Sequence, residues 1–244
     1  MAAGSGTRVG GEINKVYLPL GGRPVVSWSL DAFGRVPEIG VLVLVTRPDD
    51  AELVDRALAS VAVRTDVETV HGGANRQDSE LAALRQLARR IRSGDIDTVL
   101  IHDAARPLVS PELIIDVLNA ARKYGGAIPG LPSDPLAMVA ADGRLSVAPL
   151  VGEHASQQLV AVQTPQGFRA PELLDAYEAA EIQQFSGTDT ASCTERFSAL
   201  DVRWVSGDER NFKITYPHDV VLAEKILTAS RQVDRPALDQ RNGR

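Results

Sequence analysis

The sequence has one cysteine, Cys193, in 244 residues. That excludes an intrachain disulfide and a zinc site built from several thiolates. It also lacks a long apolar run. Stretches such as Val41-Leu42-Val43-Leu44-Val45 fall far short of the ~20 residues a membrane helix needs. No basic-then-apolar signal segment stands at the N-terminus. Positive charge is in deficit, with 26 Lys and Arg against 32 Asp and Glu and a net charge of −6. General nucleic-acid binders are usually basic, so neither a nucleic acid nor a membrane is expected as partner. A reducing cytoplasm is the expected location.

A β-strand is also lacking where one is wanted. Met1-Ala2-Ala3-Gly4-Ser5-Gly6-Thr7-Arg8 is a glycine loop with no strand in front of it. A loop that cradles phosphate normally follows a strand and leads into a helix. Either the true start lies upstream or the sheet is truncated.

What is there is an ordinary globular composition, 44% hydrophobic and 24% charged. Short apolar runs alternate with amphipathic ones. Strands are expected at Val41–Val45, Val67–Val70, Thr98–Ile101, Gly126–Pro129 and Val202–Val205. Helices are expected at Pro24–Phe33, Asp50–Ala59, Asp78–Ile91, Pro111–Lys123, Pro171–Gln183 and Pro217–Ser230. Ser110 is the N-cap of the fourth helix. This rhythm predicts an α/β fold, with a mainly parallel sheet and helices on both faces. Residues 131–162 break it, and Leu145-Ser146-Val147-Ala148 after Asp142-Gly143 reads as one side of a protruding β-hairpin arm. The first strand is missing. The stretch from Arg231 to Arg244 reads as a polar tail.

Five segments carry candidate chemistry. Gly4-Ser5-Gly6-Thr7-Arg8-Val9-Gly10 can form an anion nest, and Arg8 with Lys15 suits a triphosphate. Its spacing is not that of a dinucleotide fingerprint, because Val9 holds the third glycine position. No acidic residue stands about 20 positions on except Asp31, inside a helix, so a nicotinamide dehydrogenase ranks last. Gly72-Gly73-Ala74-Asn75-Arg76-Gln77-Asp78-Ser79 puts glycines, a cation and a hydroxyl at a strand-to-helix junction. His102-Asp103-Ala104-Ala105-Arg106-Pro107 follows a buried strand. There Asp103 either binds a ligand or pairs with Arg106 to lock the loop. Gln163-Thr164-Pro165-Gln166-Gly167-Phe168 is polar and turn-rich. In Gly207-Asp208-Glu209-Arg210-Asn211-Phe212-Lys213-Ile214-Thr215, the stretch around Lys213 reads as strand-like. Alternation points Lys213 away from Phe212 and Ile214.

In this order and spacing the segments, with Thr188-Asp189 and Tyr17-Leu18-Pro19-Leu20-Gly21-Gly22, resemble the 2-C-methyl-D-erythritol 4-phosphate cytidylyltransferase family. The resemblance runs from residue 2 to about 228. It implies one nucleotidyltransferase domain over residues 1–230, with a Rossmann-like sheet and the arm at about 131–162. It implies transfer of CMP from CTP to a polyol phosphate with release of pyrophosphate. Arg8, Lys15 and Lys213 would be catalytic. Ala2, Ala3, Gly4, Gly6, Gly72, Arg76, Ser79, Asp103 and Ala104 would bind the nucleotide. Asp103, Arg106, Thr164 and Thr188 would bind the acceptor. Mg2+ would be held mainly by the CTP phosphates rather than by protein ligands. The partner protein would be a second copy, in a homodimer formed through the arm.

The chain departs from the family pattern on the acceptor side. A Thr-Asp-Thr-aliphatic-Lys run becomes Ser133-Asp134-Pro135-Leu136-Ala137. An arm arginine eight residues before Thr164 becomes Ser156, with His154 and Arg144 the nearby cation candidates. These changes leave two other readings open: a cytidylyltransferase for another polyol phosphate such as ribitol 5-phosphate, and a CTP-binding paralogue with weak catalysis.

Overall fold

The computed structural model describes residues 1–4, 13–63, 65–133, 137–139, 145–147, 159–187 and 190–233. A 3-10 turn at Lys15–Tyr17 leads into two short antiparallel strands, β1 (Pro19–Leu20) and β2 (Arg23–Pro24), and then α1 (Val25–Gly34). The apolar run at residue 41 forms β3 (Val41–Thr46), followed by α2 (Ala51–Ala59). Strand β4 (Asp66–His71) pairs parallel to β3 in register Val41↔Asp66 to Thr46↔His71. Helix α3 (Arg76–Arg92) starts where the Asn75 side chain accepts from the Asp78 amide, and it buries Leu81, Leu84, Leu87 and Ile91 on one stripe.

Strand β5 (Thr98–Ile101) precedes α4 (Pro111–Tyr124). Ser110 caps α4 by accepting from Leu113 N, as the sequence predicts, and Gly125 ends it at φ +111°, a conformation L side chains rarely adopt. Next come β6 (Gly125–Pro132), the antiparallel pair β7 (Ala137–Val139) and β8 (Leu145–Val147), β9 (Val160–Val162) and β10 (Gln166–Arg169). The chain continues through α5 (Ala170–Ile182), α6 (Thr190–Phe197), β11 (Asp201–Ser206) and α7 (Pro217–Val233).

The expected helices all form, to within a turn at either end. The sheet is parallel between β3 and β4 and between β6 and β11; β10 runs antiparallel to both β5 and β6. Two readings are corrected. The segment Gln163–Phe168 is not all turn, because its second half is the start of β10, whose Phe168 is fully buried. The stretch around Lys213 is loop rather than strand. Within the arm, β7 and β8 pair as a hairpin, whereas Pro135, Arg144, His154 and Ser156 lie outside the described residues. So do residues 234–244 of the polar tail.

Helices lie on both faces of the sheet. One core layer joins α1, α2 and α4 through Leu30, Phe33, Leu44, Val54, Ile114 and Val117. The other joins α3 and α5 through Leu84, Ile91, Phe168, Leu173 and Tyr177. A third cluster of Leu20, Val25, Ile214 and Ala223 pins α7 and the loop before it against β1. Among the described residues the sheet is in two pieces. Strand β3 pairs only with β4, and β5 pairs only with β10. Between β3 and β5 lies a cavity of about 430 Å³ lined by Val41, Val43, Leu84, Val99 and Ile101.

Candidate active site

The C-terminal ends of β3, β4 and β5 converge, as they do wherever an α/β sheet holds a ligand. Ala2 N donates to Val45 O at 2.8 Å, and Gly72 N donates to Thr46 O at 2.8 Å. Ala104 N donates to Met1 O at 3.1 Å. These bonds bring Ala2-Ala3, Gly72 and Asp103-Ala104 to one end of the sheet. Gly72 has no room for a side chain: a Cβ there would stand 2.6 Å from Ala3 Cβ and 2.7 Å from Ser79 Oγ. Ser79 Oγ in turn accepts from Gly73 N at 3.1 Å and donates to Asn75 O at 2.8 Å. The result is a floor of small groups in front of the α3 N-terminus, the end of a helix whose dipole favours anions.

Beside this floor is a cluster of charges. Asp103 Oδ1 accepts from Arg76 Nη1 at 2.8 Å, and its Oδ2 accepts from Lys213 Nζ at 2.7 Å. Asp103 therefore does not pair with Arg106, the partner that the loop-locking reading gave it. Burial by itself would raise the Asp103 pKa, but Arg76 and Lys213 outweigh it and hold the carboxyl well below the ordinary range. Asp103 is 10% exposed, whereas Arg76 and Lys213 are 34% and 37% exposed, so both cations remain reachable from solvent. His102 is buried and neutral. Burial first, and then the Met1 ammonium, push its pKa down to about 3.

Residues that sequence reasoning passed over hold this cluster in place. Glu80 is buried and accepts from Arg76 Nε at 2.8 Å, from the Tyr177 hydroxyl and from Thr190 Oγ1 at 3.1 Å. The signal for it was the i,i+4 spacing from Arg76 on a helix. Asn14 is also buried, and its Nδ2 donates to Ala2 O at 2.7 Å. It stands next to Lys15 at the start of the 3-10 turn.

Thr164 Oγ1 accepts from Asp103 N at 3.0 Å and lies 3.1 Å from His102 Nδ1. Asn211 Nδ2 donates to Thr164 O at 2.8 Å, and Gln163 Nε2 donates to Asp208 O at 2.8 Å. The fourth and fifth motifs are thus knitted together. Ile214 N donates to Ala105 O at 2.8 Å, and its side chain is fully buried, which anchors Lys213. Arg106 gives Nη1 to Asn211 O at 2.7 Å and Nη2 to Val162 O at 3.5 Å. It is committed to the main chain of the loops around the site. Gly6, Arg8 and Thr188 lie outside the described residues.

A pair of solvent-reachable cations fixed on one carboxylate, beside a helix N-terminus and a floor of small residues, suits a polyanionic ligand with a flat group attached. Among the described residues no three His, Cys, Asp or Glu side chains come together to hold a metal. Likewise none of the described helices is long and apolar enough to cross a membrane.

Comparison with known proteins agrees with this geometry. The 2-C-methyl-D-erythritol 4-phosphate cytidylyltransferase (IspD) family matches residues 1–229. A 2-C-methyl-D-erythritol 4-phosphate cytidylyltransferase of Synechococcus sp. is 36% identical over 96% of this chain and 97% of its own length. One from Geobacter metallireducens is 37% identical over 93% and 94%. The crystal structure of 4-diphosphocytidyl-2C-methyl-D-erythritol synthase from Anaerococcus prevotii superposes with a TM-score of 0.76 at 29% identity, covering 93% of this chain and 95% of that one.

Proposed function

The chain belongs to the 2-C-methyl-D-erythritol 4-phosphate cytidylyltransferase family, and from that premise we infer that the Asp103 cluster positions and neutralises the reacting phosphates. The enzyme transfers CMP from CTP to 2-C-methyl-D-erythritol 4-phosphate and releases pyrophosphate. The acceptor's phosphate oxygen attacks the α-phosphorus of CTP in line. The bond from that phosphorus to the bridging oxygen breaks, and pyrophosphate leaves. A phosphate monoester is already anionic near neutral pH, so no protein nucleophile or strong base is required. Catalysis is positioning and charge neutralisation.

The cytosine lies against Ala2, Ala3, Gly72 and Ser79, where the absence of a side chain at residue 72 keeps the floor open. Gly4, Gly6 and Arg8 hold the triphosphate. Lys15 and Lys213 neutralise charge that builds on the α-phosphoryl group. Asp103 keeps Lys213 and Arg76 in place, with Ala104 beside the ribose. Arg106, Thr164 and Thr188 shape the acceptor side, Arg106 through its hold on the Asn211 loop. The divalent ion would be Mg2+, and because both oxygens of Asp103 are already in ion pairs it would be held mainly by the CTP phosphates. It would supply Lewis-acid withdrawal of charge from the leaving pyrophosphate. The functional unit is one domain over residues 1–230, working in the cytoplasm as a homodimer joined through the 131–162 arm.

The observation that carries this reading is Asp103 bridging Arg76 and Lys213 beside the Gly72 floor. The test is pyrophosphate release from CTP and Mg2+ with either methylerythritol phosphate or ribitol 5-phosphate. Release with the first and not the second is expected. Turnover with ribitol 5-phosphate alone would overturn the acceptor assignment, and CTP binding without turnover would overturn the catalytic one.

A further inference from the structure

The segment that joins α5 to α6 is held by a helix remote from it in sequence. Helix α5 ends at Ile182, and Phe185 N closes that end by donating to Ala180 O at 2.9 Å. Gln184 stands at φ +53°, the one described residue other than glycine with a positive φ. Such a backbone persists where its neighbours fix it. The fixing group comes from α3. Gln77 Nε2 donates to Phe185 O at 2.8 Å, and Gly187 N donates to Gln77 Oε1 at 2.8 Å. One planar amide thus reads two main-chain groups two residues apart. An acceptor-only carboxylate or a donor-only ammonium cannot make both bonds. The Phe185 ring is held separately by α6, with the Phe197 ring at 5.3 Å and the Arg196 guanidinium at 5.1 Å.

One turn further along α3, Glu80 holds the other end of the same segment. Thr190, the first residue of α6, places its Oγ1 3.1 Å and 3.2 Å from the two Glu80 oxygens. The carboxylate also accepts from the Tyr177 hydroxyl of α5 and from Arg76 Nε. Glu80 is fully buried, and these donors offset the cost of keeping its charge in the interior. Arg76 in turn gives Nη1 to Asp103. The start of α3 therefore divides its work. Arg76 serves the charge cluster, whereas Gln77 and Glu80 hold the segment at Phe185, Gly187 and Thr190. Thr188 stands between the last two of these anchors in sequence.

We propose, on the acceptor-side place given above to Thr188, that Gln77 is a positioning residue for the acceptor, with Glu80 as its second anchor. Together they seat the acceptor-side segment on the same helical turn that carries Arg76. Acceptor binding and the angle of Arg76 against the phosphates then share one support. Among the described residues the side-chain bonds of Gln77 run to this segment and none to the Gly72 floor, so losing them falls on the acceptor and spares CTP.

Two variants test the proposal. Gln77→Met keeps the length of the side chain and removes both bonds. Thr190→Val keeps the shape of Thr190 and removes its hydroxyl, leaving Glu80 with Arg76 and Tyr177. Pyrophosphate release is measured with methylerythritol phosphate varied, CTP dissociation is measured without acceptor, and thermal melting checks that each variant is folded. Gln77→Met is expected to raise the KM for methylerythritol phosphate roughly 10-fold, and Thr190→Val about 3-fold. The Kd for CTP should change less than about twofold in both, and kcat should change less than KM. Should Gln77→Met not fold, Thr190→Val decides alone. An unmoved acceptor KM in the folded variants overturns the proposal, as does weaker CTP binding of the same size as the KM change. A wild-type chain that is inactive with methylerythritol phosphate overturns instead the acceptor reading on which the proposal rests.

Discussion

Replacing Asp103 with Asn removes one negative charge and keeps the side chain's size. Two charge-assisted bonds are lost, at 2.8 Å to Arg76 and 2.7 Å to Lys213. Such bonds are worth about 1.5–3 kcal/mol each. Both cations are about one-third exposed, so water takes up part of the loss and the net cost falls to roughly 2–4 kcal/mol. For a chain of this size that lowers the melting midpoint by roughly 5–15 °C. The pH dependence fixes the cause. The folded pKa of Asp103 is depressed, so its stabilisation is fully present above the unfolded carboxylate value, ~3.9, and is lost as pH falls toward the folded value. Wild type and Asp103→Asn are therefore expected to differ at pH 7, with the gap beginning to narrow as pH falls through ~3.9 and still narrowing toward the folded value. Thermal melts from pH 7 to pH 2.5 test this, with kcat measured at pH 7 as a second readout. An unchanged midpoint at pH 7 would refute the ion-pair argument. A gap that stays constant into acid would show that Asn disturbs packing and that the carboxylate charge contributes little.

Lys15→Ala and Lys213→Ala should each lower kcat roughly 100–1000-fold with a much smaller change in CTP binding, by analogy with loss of one oxyanion-hole donor. Near-wild-type turnover in either variant removes that residue from the catalytic set. Gly72→Ala places a Cβ within 2.7 Å of both Ala3 and Ser79, so the KM for CTP should rise while the protein stays folded, the overpacking costing about 1–3 kcal/mol. An unchanged KM would mean that cytosine does not lie on this floor. Ala137 and Ser156 stand where the family pattern has cations, so KM for methylerythritol phosphate should be roughly 10²–10⁴-fold above that of a relative carrying both. Ser156→Arg should lower it, and a wild-type KM in the low micromolar range would mean that other side chains bind that phosphate.

Helices were legible because their signals are local. Ser110 and Pro111 mark the start of α4, Gly125 marks its end, and the Leu81, Leu84, Leu87 stripe marks the buried face of α3. Strands β3 and β5 were legible as short aliphatic runs. Strand β10 was not, because Gln166 and Gly167 look like turn residues until α4 and two neighbouring strands close over them. The site was legible in its parts, from the motifs that carry Gly72, Arg76, Asp103 and Lys213. Their assembly was not. Asp103 has a nearby arginine in Arg106 that proximity in sequence favours, yet the sheet brings Arg76 and Lys213 to it from 27 and 110 positions away. Glu80 and Asn14 escaped notice for the same reason, since a buried polar residue declares itself only once its partners arrive.

The broken sheet and the site meet at one residue. His102 O accepts from Met1 N, and Ala104 N donates to Met1 O, so the Met1 backbone grips Asp103 on both sides. Thr164 holds the Asp103 amide from the other edge of β5. The carboxylate that fixes Arg76 and Lys213 is therefore positioned by hydrogen bonds made on both edges of β5. Stability of the sheet and geometry of the phosphate site are coupled through the same three hydrogen bonds.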